Sequence, residues 1–350
     1  MDTSMNGNYS EAVIVTGGSG YIGSVTAREL VNLGYHVVII DKKPLPHALT
    51  NCTHIQFVQG DYSDEVIWNH ICDYFHVRAV IHLAALIEVG ESVADPAAYY
   101  DNNVLKFIRM LSYVRKANIS TIIAASSSAV YGNPCAVPID ELHMRNPLSP
   151  YGRTKVILED ILCDYHAAYG LSVAIMRFAN VAGAVLEYGL GEHHDPETHL
   201  IPRVIVELRA GNPLYIYGND YDTPDGTCLR DFVHVHDVAR LQALLVDKAS
   251  QRWTEPLVLN VGSGTAISVK EVIDVASEIV QKKAVLRASS RRPGDAQEIV
   301  LTIDKACQVL GWKPLISDIR TIIQSVYDYQ CKFDLKASNG KIVFEPARPE

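Results

Sequence analysis

Tyr151 and Lys155 stand four residues apart in "SPYGRTK" (149–155), and Ser127 closes the apolar run "TIIAASS" upstream. Residues at i and i+4 share one face of a helix, and an ammonium beside a phenol favours the phenolate. A free tyrosine titrates at about pH 10, so serving as a base near neutrality takes a downward shift of roughly 3 units, or about 4 kcal/mol. One cation at about 4 Å in an effective dielectric of 20 supplies an effect of that size. These residue types therefore predict a base, Tyr151, with Lys155 as its electrostatic helper and Ser127 as a hydroxyl partner. In a chain with 18 tyrosines such a pair also arises by accident, so its weight rests on what surrounds it.

Apolar, β-branched runs recur at 12–16, 36–40, 55–58, 79–84, 121–126, 172–178 and 257–262, separated by stretches of helical spacing such as 24–34 and 102–118. Continuous apolar strands alternating with helices predict an α/β fold, a Rossmann-like doubly wound parallel sheet covered on both faces. Ligands of such sheets bind beyond the carboxyl ends of the strands. Ser127 ends the fifth run, and Tyr151 and Lys155 open the helix that follows, so the three converge on that edge. After Ala179 the pattern loosens into Gly-, Asp-, His- and Pro-rich loops around one helical piece, "IPRVIVELRAG". We expect a dinucleotide-binding domain over 1–180, rejoined by 233–262, and a smaller, discontinuous α/β substrate-binding domain over 181–350. The polar end, 336–350, reads as a tail.

Gly17, Gly20 and Gly23 directly follow the first run, and Gly18, Gly20 and Gly23 satisfy G-x-G-x-x-G. Glycines there allow a sharp turn, close approach of backbone amides to a pyrophosphate, and packing of the helix on the strand. Asp41, ending the second strand in "VVIID", suits an adenosine ribose hydroxyl and repels a 2′-phosphate, which points to NAD. Lys42 and Lys43 pull the other way, since a cation can receive that phosphate. Asp61, after the third strand, fits either a helix cap or the adenine amine.

The 350 residues are 48% hydrophobic and 20% charged, with a formal charge of −9 and pI near 5.8. That balance argues against a protein that coats nucleic acid or an anionic membrane. The seven cysteines are scattered and contain no Cys-x-x-Cys, so a disulfide framework or zinc site is not indicated and a reducing cytoplasm is expected. The start, "MDTSMNGNYS", lacks the basic and apolar regions of a signal peptide, and no apolar stretch reaches about 18 residues.

The glycine loop, Asp41, "SSSAVYG" and "YGRTK" together resemble the extended short-chain dehydrogenase/reductase superfamily. The stretches "IHLAALIEVGESV", "YYDNNV", "RFANVAGA", "HDPETHLIPRV", "YGNDYDTPDGTCLRDFVHVHDVA" and "RRPGD" narrow the resemblance to the UDP-glucose 4-epimerase family, over about residues 12–315. What the resemblance implies is inversion at C4 of a UDP-hexose through a 4-keto sugar, with NAD held permanently. Tyr151 would take the 4-hydroxyl proton, Ser127 would bond the same oxygen, and Lys155 would hold the cofactor ribose and lower the phenol pKa together with the positive nicotinamide ring. It further implies cofactor contacts from Gly17, Gly20, Tyr21, Ile22, Gly23, Asp41, Asp61, Tyr62, Leu83, Ala84, Ala85, Asn102 and Phe178. Around the UDP-sugar it implies Ser127, Asn180, His199, Leu200, Asp295 and Ile299. The anchor for the nucleotide must be cationic and aromatic: Arg230 and Arg292 can fork onto phosphates, and Tyr217 can pack on uracil. A homodimer through the helices at 102–118 and 151–169 is implied as well.

Some positions depart from the family pattern. Ile87 stands where many relatives carry Lys, and Phe178 and Ala179 where Phe and Tyr are usual. Ile299 occupies the position that gates the C2 substituent, so a pocket admitting N-acetylated UDP-hexoses is the alternative reading. A dehydratase or decarboxylase needs an acid after the strand-end hydroxyl, where this chain has Ser128 and Ala129. A non-catalytic cofactor-binding regulator is disfavoured because Ser127, Tyr151 and Lys155 are all present. His193, His194 and His199 imply no carboxylate geometry by themselves, so that loop is expected to face solvent with one uracil contact and no metal. His234 and His236 read as strand residues facing opposite sides.

Overall fold

The computed structural model describes residues 10–194, 197–292, 296–333, 336–338 and 341–343. The first half alternates strands and helices: β1 (Ser10–Thr16), α1 (Tyr21–Asn32), β2 (His36–Asp41), β3 (Ile55–Gln59), α2 (Glu65–Tyr74) and β4 (Phe75–His82). Two short helices, α3 (Val89–Ala94) and α4 (Pro96–Tyr100), lead through a wide π turn at 101–105 into α5 (Lys106–Lys116), β5 (Thr121–Ser127), α6 (Pro150–Tyr169) and β6 (Ser172–Phe178). Short strands β7 (Asn180–Ala182), β8 (Ala184–Val185) and β9 (Leu190–Gly191) precede α7 (Leu200–Ala210), β10 (Leu214–Tyr217), β11 (Leu229–Arg230) and β12 (Phe232–His234). The chain then forms α8 (Val235–Lys248), β13 (Leu257–Val261), β14 (Ile267–Ser268), α9 (Val269–Val280), β15 (Leu286–Ser289), β16 (Glu298–Ile299), α10 (Asp304–Leu310) and α11 (Ile319–Lys332).

The seven long apolar runs form one sheet in the order β13-β6-β5-β4-β1-β2-β3, every pairing parallel. Val13, Ile14, Val15, Val38, Ile39, Ile122, Ile123, Val173 and Ile175 are fully buried, as strands sandwiched between two helical layers must be. One core lies between the sheet and α1 with α8, the other between the sheet and α2, α5 and α6. The order reverses between β1 and β4, so the loops after these two strands diverge and open a crevice at the carboxyl edge. A third core is shared by α7, α9 and α11 with β10 and β12.

Two local expectations change. His234 ends β12, and its Nδ1 accepts from the His236 backbone N–H at 3.1 Å, so it caps α8 while His236 lies in the helix rather than in a strand. An imidazole nitrogen there satisfies one of the four orphan donors of the first turn, which wins over strand alternation. In the polar end, Lys336–Ser338 and Lys341–Val343 pair antiparallel, since two short runs can serve as each other's backbone partners. Among the described residues no helix is long and apolar enough to cross a membrane.

Candidate active site

The carboxyl edge begins with the glycine loop. Gly17 has φ +76°, and a Cβ there would stand 2.7 Å from the Ala84 backbone nitrogen, so the loops after β1 and β4 touch across the crevice. At Gly23 a Cβ would lie 2.2 Å from the Gly17 carbonyl oxygen, which holds the start of α1 against the loop. Gly20 is the N-cap of α1 and has no side chain to satisfy the first amides, which leaves them directed outward. Ile22 packs against the core on the α1 side of the sheet. Asp41 closes the loop from beside it, one carboxylate oxygen accepting from Ser19 N–H at 3.0 Å and the other from Lys43 N–H at 2.9 Å. Leu83, Ala84 and Ala85 line the other side, all half-buried, with Leu83 N–H bonded to the Thr16 carbonyl at 3.0 Å.

Asp61 does not cap the helix that follows it. The cap of α2 is Asp64, which accepts from Val66 N–H at 2.9 Å. Asp61 instead receives Lys42 and Lys106, each at 2.9 Å, together with the Ser63 amide and hydroxyl. Burial opposes its charge, and these donors outweigh burial, holding the carboxyl well below the usual range. Lys42 is thereby occupied by an acid. Tyr62 turns its side chain into the core, where its hydroxyl donates to the Asn102 carbonyl and its ring meets His82 edge-on at 5.1 Å. A phenol has a large apolar body, and burying it there places only its backbone near the crevice.

The central group is built by α6. Ser149 caps the helix, accepting from Gly152 N–H at 3.1 Å, and Pro150 occupies the first turn, where no N–H is needed. A Cβ at Gly152 would fall 2.7 Å from the Ala129 carbonyl oxygen, so this turn lies directly on the 128–130 turn that follows β5. That contact brings the Ser127 hydroxyl near enough to Tyr151 to act on its phenol. Lys155 lies one turn along, its Nζ 5.8 Å from the centre of the Tyr151 ring and donating to the Ala125 carbonyl at 2.8 Å.

The electrostatics of this group are those of the ligand-free protein. Burial pushes the Tyr151 phenol above its ordinary value, the Ser127 hydrogen bond opposes this, and the Glu88 carboxylate adds to the rise. The Lys155 ammonium is bonded to the Ala125 carbonyl of β5. Burial also depresses Lys155 itself to about 8, with Glu159 partly restoring the charge. Tyr151 is therefore protonated near neutrality in the ligand-free protein.

Glu159, a further turn along the same face, is a residue the sequence reading missed. It accepts from Ser126 Oγ, from Arg177 Nε at 3.0 Å and Nη2 at 2.7 Å, and from Arg145 at 3.1 Å. Arg177 also donates to the Tyr131 hydroxyl, which bonds Asn260 on β13. This buried network pins α6 to β5, β6 and β13. Its signal was the 151/155/159 spacing, which puts an acid on a helix face that must be buried. Asn103, also missed, holds the loop after β4 through both its amide groups, bonding Leu86 N–H and carbonyl at 2.9 Å and reaching Thr154 on α6 at 3.3 Å.

The remaining residues gather on the far wall. Phe178 is buried at the end of β6. Asn180 Nδ2 donates to the Asp231 carbonyl at 3.1 Å. Arg230 lies opposite Ile299 on one neighbouring strand and Ile267 on the other, so cation and gate share one small sheet. Asp231, buried and not foreseen, organises this sheet by accepting from Ser263, Gly264 and Leu301 amides. Arg292 stacks over Tyr217, its guanidinium carbon 4.1 Å from the ring centre, so the two expected anchors form one platform. Asp295 lies outside the described residues.

The histidine loop departs most from expectation. Glu192 and Glu197 are buried and face His194 and His199, so the loop carries two carboxylates against two imidazoles rather than pointing into solvent. Neighbouring Thr198 donates to Glu88 at 3.0 Å, His199 caps α7, and Leu200 begins that helix. Tyr21, first residue of α1, donates to the Gly183 carbonyl at 2.6 Å rather than toward the glycine loop.

The profile of the NAD dependent epimerase/dehydratase family matches residues 13–262. The UDP-glucose 4-epimerase of Rhizobium meliloti (strain 1021) is 41% identical over 327 residues, 91% of this chain and 97% of its own. The crystal structure of UDP-glucose 4-epimerase from Brucella ovis in complex with NAD is similar at TM-score 0.86 and 38% identity, covering 91% of this chain and 98% of that one. That from Bifidobacterium longum in complex with NAD+ and UDP gives TM-score 0.84 and 35% identity, covering 92% and 98%.

Two outcomes follow from this geometry. Glu159→Ala leaves Arg177 buried without its counter-charge, so it should destabilise the fold by about 3–5 kcal/mol in denaturant unfolding. A loss under about 1 kcal/mol would contradict the central role of the network. In cofactor-free protein, ultraviolet titration compared with Tyr151→Phe should find no ionisation of Tyr151 below the ordinary tyrosine value of about 10. Ionisation near neutrality would show that Lys155 alone suffices.

Proposed function

The chain belongs to the NAD dependent epimerase/dehydratase family, and on that premise we propose that it is a UDP-glucose 4-epimerase, interconverting UDP-galactose and UDP-glucose with NAD retained. The observation that carries this is the Ser127 hydroxyl set beside the buried Tyr151 phenol with Lys155 buried next to it, on the carboxyl edge at the strand-order reversal. The relatives' names and their bound NAD and UDP support the same reading.

The residues present fit NAD. The Gly17 and Gly23 backbones leave no room for a Cβ, the α1 amides face outward for a pyrophosphate, and Asp41 stands beside them for the ribose hydroxyls. Lys42 is committed to Asp61, which removes one cation that would favour a 2′-phosphate. When bound, NAD supplies the reversible two-electron oxidation at C4. The chain's own part is acid–base chemistry and grip. Tyr151 removes the 4-hydroxyl proton and later returns it, and Ser127 bonds the same oxygen and keeps it aligned. The phenol can ionise only once positive charge arrives beside it, since burial otherwise holds its proton. Arg230 and the Arg292–Tyr217 platform hold the UDP, leaving the 4-keto sugar free to turn and present its other face.

Purified protein should convert UDP-galactose to UDP-glucose without added cofactor. Tyr151→Phe should cut turnover by about 10²–10⁴, the usual worth of a positioned base, while UDP affinity stays near wild type. Strict dependence on added NADPH with net reduction of the sugar would overturn the assignment. On the choice of sugar, Ile299 and Ala179 are half-buried against one small cluster with Val130 and Tyr131, and neither fills its place as an aromatic side chain would. That supports slow turnover of UDP-N-acetylglucosamine beside the glucose pair, abolished by Ile299→Tyr. Wild type inert toward the N-acetylated sugar leaves the narrower epimerase.

A second copy of the chain on the α5–α6 face is part of the same reading. Leu105 and Ile108 are 52% and 39% exposed there, and Tyr169 at the end of α6 is 56% exposed. Sedimentation at micromolar concentration should give a dimer, and Ile108→Glu should shift it to monomer; a monomeric wild type would exclude this face as an interface. None of the seven cysteines is in a disulfide, which supports a cytoplasmic setting.

A further inference from the structure

We infer that Glu192, His194, Glu197 and His199 form a binding site for one divalent transition-metal cation of the zinc type. Their ligand atoms all lie within 4.8 Å of one another. His199 Nδ1 stands 2.7 Å from Glu192 Oε1 and 3.3 Å from Glu197 Oε1, and His194 Nδ1 stands 3.3 Å from Glu192 Oε1 and 3.8 Å from Glu197 Oε2. A tetrahedral zinc with bonds of about 2.0–2.2 Å holds its ligand atoms about 3.3–3.5 Å apart. The separations from Glu192 Oε1 and Glu197 Oε2, 2.7 to 3.8 Å, lie on both sides of that edge, and with all ligand atoms inside 4.8 Å a cation fits once the widest pair draws in by about 1 Å.

A second observation points into the same space. Glu197 is 8% exposed, and its Oε2 is buried with no hydrogen bond, standing 3.8 Å from His194 Nδ1. Buried polar atoms are ordinarily satisfied. A closed-off carboxylate oxygen left unsatisfied among two imidazoles and a second carboxylate is a donor aimed at a cation. Charge agrees, because two carboxylates and two neutral imidazoles sum to −2, which a dication cancels. The other oxygen, Glu197 Oε1, accepts from the His199 backbone N–H at 2.9 Å, and so helps orient the ligand from outside.

The placement gives the ion a structural task. The cluster spans the loop between β9 and α7, beside Tyr21 at the start of α1, and Thr198 ties the same loop to Glu88 near the Tyr151 phenol. A bound cation would fix the segment that carries His199 and Leu200 without touching the reacting carbon.

Full-length protein stripped with a chelator and titrated with Zn²⁺ in a calorimeter should take up one equivalent. Titration with Co²⁺ should give the strong visible absorption of a four-coordinate nitrogen and oxygen site. Glu192→Gln and His194→Gln, checked for folding by circular dichroism, should each weaken Zn²⁺ affinity at least tenfold and remove the cobalt absorption. Failure of wild type to bind zinc would overturn the site and leave two imidazolium–carboxylate pairs. Binding that persists unchanged in both variants, or cobalt spectra showing thiolate charge transfer, would overturn it equally. None of these measurements depends on epimerase turnover.

Discussion

Glu159 is a carboxylate with four hydrogen-bond donors in a place closed to solvent, and the arrangement of the catalytic edge depends on it. A buried ion pair gains little net stability over apolar packing, because desolvating both charges offsets their attraction. What it does provide is direction. An apolar contact tolerates sliding or a turn of a helix, whereas a forked guanidinium–carboxylate pair with its remaining lone pairs filled has one satisfactory geometry. Arg177 comes from β6, Ser126 from β5 and Glu159 from α6, so satisfying them together fixes the axial position of the helix. Tyr151 and Lys155 lie on the same helix face and inherit that position.

The same edge depends on backbone approaching backbone. Gly17 and Gly23 bring the first loop against α1 and the loop after β4, and Gly152 lets α6 sit on the turn after β5. Each contact replaces a side chain with a main-chain surface, which leaves amides facing the crevice. Asn103 then holds the β4 loop through an amide that mimics a strand partner. The crevice is therefore rigid on the cofactor side. The far wall is different in kind: short strands, a cation–aromatic stack and Asp231 gathering the 263–264 and 301 segments.

The sheet was legible because strands buried on both faces are written as unbroken apolar runs, and all seven runs became its strands. Ser127, Tyr151 and the glycine loop were legible for the related reason that α/β topology sends strand ends and helix starts to one edge. Glu192 and Glu197 were not, since nothing in "GEHHDPETHL" says that the acids turn inward; that depends on how β9 and α7 pack around the loop. Asp61 was ambiguous because Lys106, its partner, lies a whole helix away in sequence. The partner of Lys155 was not legible either: spacing places it beside the Tyr151 ring, and the bond of its ammonium to the Ala125 carbonyl depends on how α6 packs on β5.

That last point bears on how such a base is controlled. In the free protein burial dominates the phenol, and the nearest carboxylate, Glu88, reinforces it, so Tyr151 keeps its proton. Lys155 is partly discharged near neutrality for the same reason, being depressed to about 8 by the same burial. Even so, a group at about 8 keeps most of its charge at pH 7, so it is the phenol alone that is neutral in the empty site. A ligand bringing positive charge to the carboxyl edge would favour the phenolate, and the phenolate would in turn hold Lys155 fully charged. Coupling of this sort ties ionisation of the phenol to filling of the cofactor site. An enzyme that retains its cofactor through the whole cycle loses nothing by this arrangement, and an empty site avoids carrying a buried anion that nothing compensates.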